Sequence, residues 1–569
     1  MNNNLIISEL KSGWKSFKKK NICLRWTGKI IINNKFMDSP IELYDLFEKI
    51  NFDDDIAIKK ILERLDGFFT IIYETENNII AINDRLRSYP IYFYHKANQL
   101  FISDNAYLIK EKFNLNIQNN NGSVEFLLSG YVTGNETLYK DLLQLLPGQY
   151  LSYDKKLHRF KIKEYFKYYP NTNNNLELSL ENKVKEYKEL IYSSFERLKD
   201  YIIKNKYQPI IPLSGGRDSR LMAVMLKEVG IENSIAFTYG TKEHKEVIKS
   251  KEIAGELGVD WFFCSYTKEK WHKEYNNSIV KKYFNYADGL SVRPHVLDYI
   301  AVKELFSKKK EKLLFLSGHS LDFIAGSHIP ASLFMLNKPS KNNLYEAILA
   351  KHFSFHYIYK KERAMLIERI SSSLDFLPQA TFDEIISAFE YWDWRERQGK
   401  FILNALNVYD FFNFDWYLPF WERQWMNFFM QLPCEWRYKQ NFQRYALHKL
   451  FPNYFEKEEW FCEKETKKEE IKRKFKRNLK KIILKIPLSS YYFRRNNYAG
   501  VASNYGVERY GAFDVNVNSL EEFAKKYTAE TDISRIFYFF TLHYLLKNNF
   551  NLNFLDSKYK KIMELINYE

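Results

Sequence analysis

The sequence predicts a mixed α/β protein in two unlike parts, followed by a mainly helical region. Three observations predict it. Residues 1–165 carry short β-rich runs, each bounded by polar residues. Between residues 208 and 318 apolar strand-like segments alternate with helix-like ones, the order of a parallel sheet wrapped by helices. From 340 to 455 the pattern is mainly helical and rich in Trp and Phe.

In the first part, LDGFFTIIYE (65–74), NIIAIND (78–84), PIYFYH (90–95) and GQYLSYD (148–154) read as strands, and NGSVEFLLSGYV (121–132) as a helix. YYPNTNNNLE (168–177) has linker composition with no apolar period. Helical periodicity runs over 181–204. The alternation PIIPL, DSRLMAVMLKEVG, SIAFTYG, KEVIKSKEIAGELG, DWFFCS follows. Residues 296–311 read as another helix and KLLFLSG (312–318) as another buried strand.

Composition narrows the class. At 569 residues the chain has room for two to four domains. Hydrophobic residues at 46% and charged residues at 27% suit a soluble globular protein. No run approaches the ~18 apolar residues of a membrane helix, and MNNNLIISELKSGWKSFKKK lacks the order of a signal peptide. Cys23, Cys264, Cys434 and Cys462 are far apart, with no CxxC pair to suggest zinc or a disulfide framework. A cytoplasmic protein is expected. Much of the net charge of +16 sits in residues 464–495, where 13 Lys or Arg face 3 Glu. There Ile471, Phe475, Leu479 and Ile482 recur at helical spacing. A helix docked on its own protein with a solvated basic face is the first reading, peripheral contact with an anionic membrane the second. Nucleic acid is not the expected partner.

The chemistry lies in QPIIPLSGGRDSR (208–220). A strand that ends in Ser-Gly-Gly and feeds a helix makes an anion site. Glycines allow a tight turn and close backbone approach, and the helix start adds unpaired N–H donors and a favourable dipole. Ser214 and Ser219 can donate to phosphate oxygens. Asp218 would repel phosphate on its own and makes sense with Mg²⁺ between them. The pattern is not a Walker loop.

LSGGRDS resembles the pyrophosphate-binding loop of the ATP pyrophosphatases, which cleave ATP to AMP and pyrophosphate. Other stretches narrow the resemblance to asparagine-synthetase-like proteins. LDGFFTIIYE with INDRLRSYPIYFYH, and TLYKDLLQLLPGQYL (137–151), resemble that family's N-terminal glutaminase domain. LPFWERQWMNFFMQLP (418–433) resembles its Pro-Phe-Leu-Asp segment, and SGHSLDFIAGSH (317–328) its second loop, SGEGxDE. GHSLDFIAGSH with WRERQGKFILNALNVYDFF (394–412) is similar to a divergent branch associated with bacterial surface-polysaccharide loci.

The resemblance implies a glutaminase-like αββα sandwich over 1–167 and a linker over 168–180. It then implies a parallel-sheet ATP pyrophosphatase domain over 181–455 and a basic, mostly helical C-terminal region over 456–569. Position by position, Ser214, Gly215, Gly216 and Ser219 match the pyrophosphate-binding positions. Asp218 and Asp322 match the Mg²⁺-binding aspartates, and main-chain groups at Leu213, Ser317 and Gly318 would touch the nucleotide. The family's downstream lysine has Lys464 as a candidate, although a straight count from Pro452 lands on Trp460.

Two departures shape the expected activity. Glutamine hydrolysis in this family uses a cysteine at the mature N-terminus, with its own α-amino group, pKa about 8, as base. The sequence opens Met1-Asn2-Asn3, Cys23 is the only cysteine in that part, and no Asn-Gly-Glu glutamine-pocket motif is visible. His319 stands where the family has glutamate. An imidazole with a reference pKa near 6.5 can serve as general base, and a structural or substrate-binding histidine is the other reading. The expectation is ATP-dependent amide formation through an acyl-adenylate, using ammonia or another amine and a small carboxylate. Alternatives are a glutamine-hydrolysing asparagine synthetase, an RNA-modifying ATP pyrophosphatase and a non-catalytic scaffold.

Overall fold

The computed structural model describes residues 5–456, apart from 8–9, 11–12, 53, 97, 171–177, 276, 309–311, 356–357, 359 and 375–380, together with Leu545 and Phe550. Lys464, Cys462 and the basic segment 464–495 lie outside the described residues.

The first part builds two sheets. Its strands are β1 (Leu5–Ile7), β2 (Lys15–Lys19), β3 (Ile22–Ile32), β4 (Lys35–Phe36), β5 (Leu65–Glu74), β6 (Asn78–Asn83), β7 (Tyr92–Lys96), β8 (Gln99–Ser103), β9 (Leu143–Gln144), β10 (Gln149–Asp154) and β11 (Arg159–Glu164). One sheet has the order β11-β10-β6-β5-β3-β2 with β4 on β3, and the other β1-β8-β7-β9. Ile72, Ile79, Ala81 and Leu151 of the larger sheet meet Phe93, Leu100 and Ile102 of the smaller in one buried cluster. The outer face of the larger sheet is covered by helices Pro40–Phe47 and Asp55–Glu63, through Leu43, Tyr44, Phe47, Ile58 and Leu62. Helices Ala106–Lys112 and Asn120–Ser129 cover the smaller through Ile109, Phe126 and Leu127. The four layers are helix, sheet, sheet, helix.

Three of these helices are additions to the sequence reading, and each has a local cause. Ser39 and Glu42 form a reciprocal capping box with Pro40 in the first turn. Asp54 accepts from Ile56 and Ala57 N–H, and Asn105 caps Ala106–Lys112 in the same way.

The second part opens with helix Leu180–Asn205, capped by Ser179 and closed by left-handed Lys206. Five parallel strands follow: β12 (Gln208–Pro212), β13 (Ile235–Gly240), β14 (Asp260–Ser265), β15 (Leu313–Leu316) and β16 (Asp415–Tyr417), in the order β14-β13-β12-β15-β16. Ile210, Ile211 and all of β15 are buried, as a sheet covered on both faces requires. The three-residue β16 is an addition within 340–455, a stretch that is otherwise mainly helical as the sequence predicts. That same stretch contains a ten-residue π-helix, Asp393–Ile402.

The two parts share a core, since Ile31, Phe68, Leu86, Val124 and Leu128 of the first belong to the same buried cluster as the parallel sheet. The expected linker is docked at its start: Tyr168 is fully buried and its hydroxyl donates to Ile324 O at 3.2 Å. Phe550 packs on Tyr139 with ring centroids 5.3 Å apart. Among the described residues no helix is long and apolar enough to cross a membrane.

Candidate active site

The strand order locates the site. The chain winds outward from β12 through β13 to β14, then returns to the other side of β12 for β15 and β16. The direction reverses between β12 and β15, and ligands of open parallel sheets bind in the crevice at such a reversal, beyond the carboxyl ends of the strands. SGG (214–216) leaves β12 there, and SGHS (317–320) leaves β15. Both line one cavity of about 480 Å³, with Thr238, Tyr239, Asp298 and Gln440 among its other walls.

The first loop is folded on its own hydroxyls. Ser214 N–H donates to Ser219 Oγ at 3.1 Å, the two Oγ atoms are 3.1 Å apart, and Gly216 N–H donates to Ser214 Oγ at 3.2 Å. Gly216 is the N-cap of helix Arg217–Glu228 and offers no side-chain cap, so the helix start keeps N–H donors for an anion. Ser214 and Ser219, expected as phosphate donors, are here the clasp of the loop. Leu213, expected to meet the nucleotide through its main chain, donates its N–H to Phe237 O at 2.9 Å and accepts from Thr238 Oγ1 at 2.8 Å. Those bonds anchor the loop to β13.

The second loop is pressed against the first. A Cβ at Gly318 would lie 2.8 Å from Ser219 N and 2.9 Å from Asp218 C, so only glycine fits between the loops. Asp322 N–H donates to Asp218 Oδ2 at 2.8 Å, and Gln443 Nε2 donates to Asp218 Oδ1 at 3.3 Å. Burial and the neighbouring Asp322 charge push the Asp218 carboxyl up to about 7. Burial works against ionisation of Asp322 as well, but the nearby His328 ring, with the Ser327 hydroxyl, outweighs it and holds that carboxyl below its usual range. Two carboxylates converge on one cavity, and one is disfavoured as an anion by the other. That donor set fits a hard divalent cation such as Mg²⁺, which commonly binds one or two carboxylates and completes its shell with water and substrate phosphate. The described residues contain no group of three or more His, Cys, Asp or Glu placed to hold a metal unaided.

His319 lines the same cavity beside Ser317 and Gly318. Its N–H donates to Ser317 Oγ at 3.3 Å and its carbonyl accepts from Trp421 Nε1 at 3.1 Å. Burial pushes the imidazole pKa down, against the pull of the Asp298 carboxylate, which leaves it neutral and able to accept a proton near pH 7.

Asp298 was not singled out in the sequence. It is buried and accepts from Tyr239 Oη at 2.9 Å and Tyr409 Oη at 3.2 Å, with His295 Nε2 at 3.0 Å. The only local signal was the spacing of His295 and Asp298 three residues apart; the tyrosines come from remote segments.

In the first part Cys23 sits inside β3, paired across to Lys18 of β2 and Glu74 of β5, and is buried. The nitrogen of Cys23, second residue of the eleven-residue β3, is bonded to Ile22, so no free α-amino group stands beside this thiol.

Among known families, the glutamine amidotransferase domain matches residues 56–166. Comparison with curated proteins finds no match. Thirty-eight chains of solved structures match. One is a glutamine phosphoribosylpyrophosphate amidotransferase from B. subtilis complexed with ADP and GMP, at 13% identity and a TM-score of 0.20, covering 46% of this chain and 76% of that one. Another is the allosteric regulatory enzyme of purine biosynthesis, at 12% identity and a TM-score of 0.18; the match covers 58% of this chain and spans 60% of that protein's length. Likeness at this level adds nothing to the assignment, which rests on the family match: residues 56–166 form a glutamine amidotransferase-like domain.

Proposed function

We propose that this chain is an asparagine-synthetase-like ligase that spends ATP, releasing AMP and pyrophosphate, to form an amide from a small carboxylate and ammonia or another amine. One observation carries the reading: two loops leave adjacent parallel strands at the point of winding reversal and bring Asp218 and Asp322 to the same cavity.

A carboxylate is a poor electrophile and needs activation. Its oxygen attacks the α-phosphorus of ATP, the bond to pyrophosphate breaks, and an acyl-adenylate forms. The N–H groups at the start of helix Arg217–Glu228 are suited to hold the departing pyrophosphate. Asp218 and Asp322 would hold Mg²⁺, which when bound neutralises charge on the phosphates. The amine nitrogen then attacks the acyl carbon, AMP leaves with the electron pair of the broken C–O bond, and the amine gives up a proton. His319, at the cavity wall and neutral, is the group we assign to accept it. The carboxylate is aspartate or a sugar-derived acid.

The amidotransferase-like domain favours one alternative, a ligase that releases its own ammonia from glutamine. The position of Cys23 opposes it, and the domain then serves as a scaffold sharing the core of the parallel sheet. The test is a screen for pyrophosphate release over candidate carboxylates with ammonia present, repeated with glutamine. The reading predicts release with ammonia and no glutamate from glutamine. Glutamate formation would revive the alternative, and release with no carboxylate at all would remove amide formation.

A further inference from the structure

The loop that carries Asp322 is braced from behind by the π-helix. In a π-helix the backbone bonds run from residue i to i+5, so residues five apart fall on roughly the same face. In an α-helix they would be ~140° apart. Asp393 and Gln398 use that spacing: Gln398 Nε2 donates to Asp393 Oδ1 at 3.0 Å, and both side chains meet the segment 320–328. Gln398 Oε1 accepts from Ser320 Oγ at 2.7 Å, and Asp393 Oδ2 is 2.8 Å from His328 Nδ1. Asp393 is fully buried, with Lys351 Nζ 3.4 Å from the same oxygen. On its other edge His328 places Nε2 3.6 Å from Asp322 Oδ2, which also accepts from Ser327 Oγ at 3.0 Å. Phe323 fixes the ring further by edge contact at 5.5 Å, and Lys351 holds the backbone there by donating to the main-chain His328 O at 3.0 Å.

We infer that His328, locked by Asp393 of the π-helix, is a positioning residue for Asp322. It does not touch the nucleotide; with Ser327 it fixes the orientation of the carboxylate that would hold the metal. Outer partners of this kind commonly change metal affinity or activity by roughly 10–100-fold when removed. The inference rests on the reading of the cavity as a Mg²⁺-nucleotide site.

The test is Mn²⁺ binding to the full chain, followed by electron paramagnetic resonance in the presence of α,β-methylene-ATP. Wild type is compared with His328→Ala, His328→Gln and Ser327→Ala. We expect His328→Ala to bind Mn²⁺ about tenfold more weakly, with pyrophosphate release recovering at high Mg²⁺ rather than falling uniformly. His328→Gln keeps an amide donor near the two carboxylates and loses less, and Ser327→Ala loses a few-fold. If His328→Ala does not fold by circular dichroism, the other two variants decide. Equal Mn²⁺ affinity in every folded variant, with wild type binding normally, overturns the inference alone. Failure of wild type to bind Mn²⁺ with the nucleotide overturns the reading of the cavity as well.

Discussion

Replacing Asp218 by asparagine should stabilise the ligand-free protein while abolishing its chemistry. The folded carboxyl lies at about 7 against an ordinary 3.8, raised by burial and by Asp322. A shift of about three units corresponds to ~4 kcal/mol at most. Because the group keeps some solvent contact, about 2 kcal/mol is the expected net cost. Below pH 3.8 the group is protonated both folded and unfolded and costs nothing. Above about 7 it is ionised in both states and the cost is full. The stabilisation by Asp218→Asn should therefore grow between pH 4 and pH 7 and level off above. The variant keeps the acceptor for Asp322 N–H, and the Gln443 amide meets the new Nδ2 only by turning away from Gln440 Nε2, which now donates to its Oε1 at 2.8 Å. Thermal unfolding of the ligand-free proteins at pH 5 and pH 8 is the assay. The slope is ~2–4 °C per kcal/mol for 150–250 residues and smaller for a larger unit sharing one core, so the variant should melt roughly 2–4 °C higher at pH 8, by less at pH 5, and release no pyrophosphate. A variant melting lower at pH 8, or by the same margin at both pH values, would refute the electrostatic argument.

The other substitutions separate packing from chemistry. Gly318→Ala forces a Cβ against the backbone of Ser219 and Asp218; we expect a cost of about 1–3 kcal/mol in melting and a larger loss of pyrophosphate release, because both loops must shift. His319→Gln should lower ammonia-dependent amide formation about 100-fold while leaving nucleotide binding, measured by calorimetry, unchanged. Lys400→Met removes a fully buried ammonium that donates to Val132 O, Gly134 O and Glu396. Glu396 keeps Arg395 Nε at 3.0 Å and the Gly134 N–H, so the loss falls mainly on the two unmet carbonyls and should cost about 1–3 kcal/mol, read as a fall in melting temperature.

How much of this was legible in the sequence depended on how local each signal is. β5 coincides with LDGFFTIIYE because a buried strand bounded by polar residues carries its own pattern. The first cavity loop was readable because Ser-Gly-Gly at a strand end states its backbone requirement in adjacent letters, whereas the second, Ser-Gly-His-Ser, stood out only by its resemblance to a family loop. β3 was not, because Arg25 and Lys29 interrupt its apolar run, and their partners Glu74 and Asp415 lie far along the chain. β16 has three residues, too few to show a period. The π-helix was invisible for a related reason: a search at 3.6 residues per turn does not register a face repeating every fifth residue. The Asp298 cluster joins three separate segments and exists only after folding. The bonds within the protein that Ser214, Ser219 and Leu213 make show a different limit, since residue type announced hydrogen bonding and the fold chose these partners.

The central claim is that Asp218 and Asp322 together make an ATP-cleaving site. Carboxylate-dependent exchange of labelled pyrophosphate into ATP tests it most directly, run on wild type, Asp218→Ala and Asp322→Ala. The account predicts Mg²⁺-dependent exchange in wild type that disappears in both variants while each stays folded. Undiminished exchange in either variant, or none in wild type with any carboxylate, would contradict it.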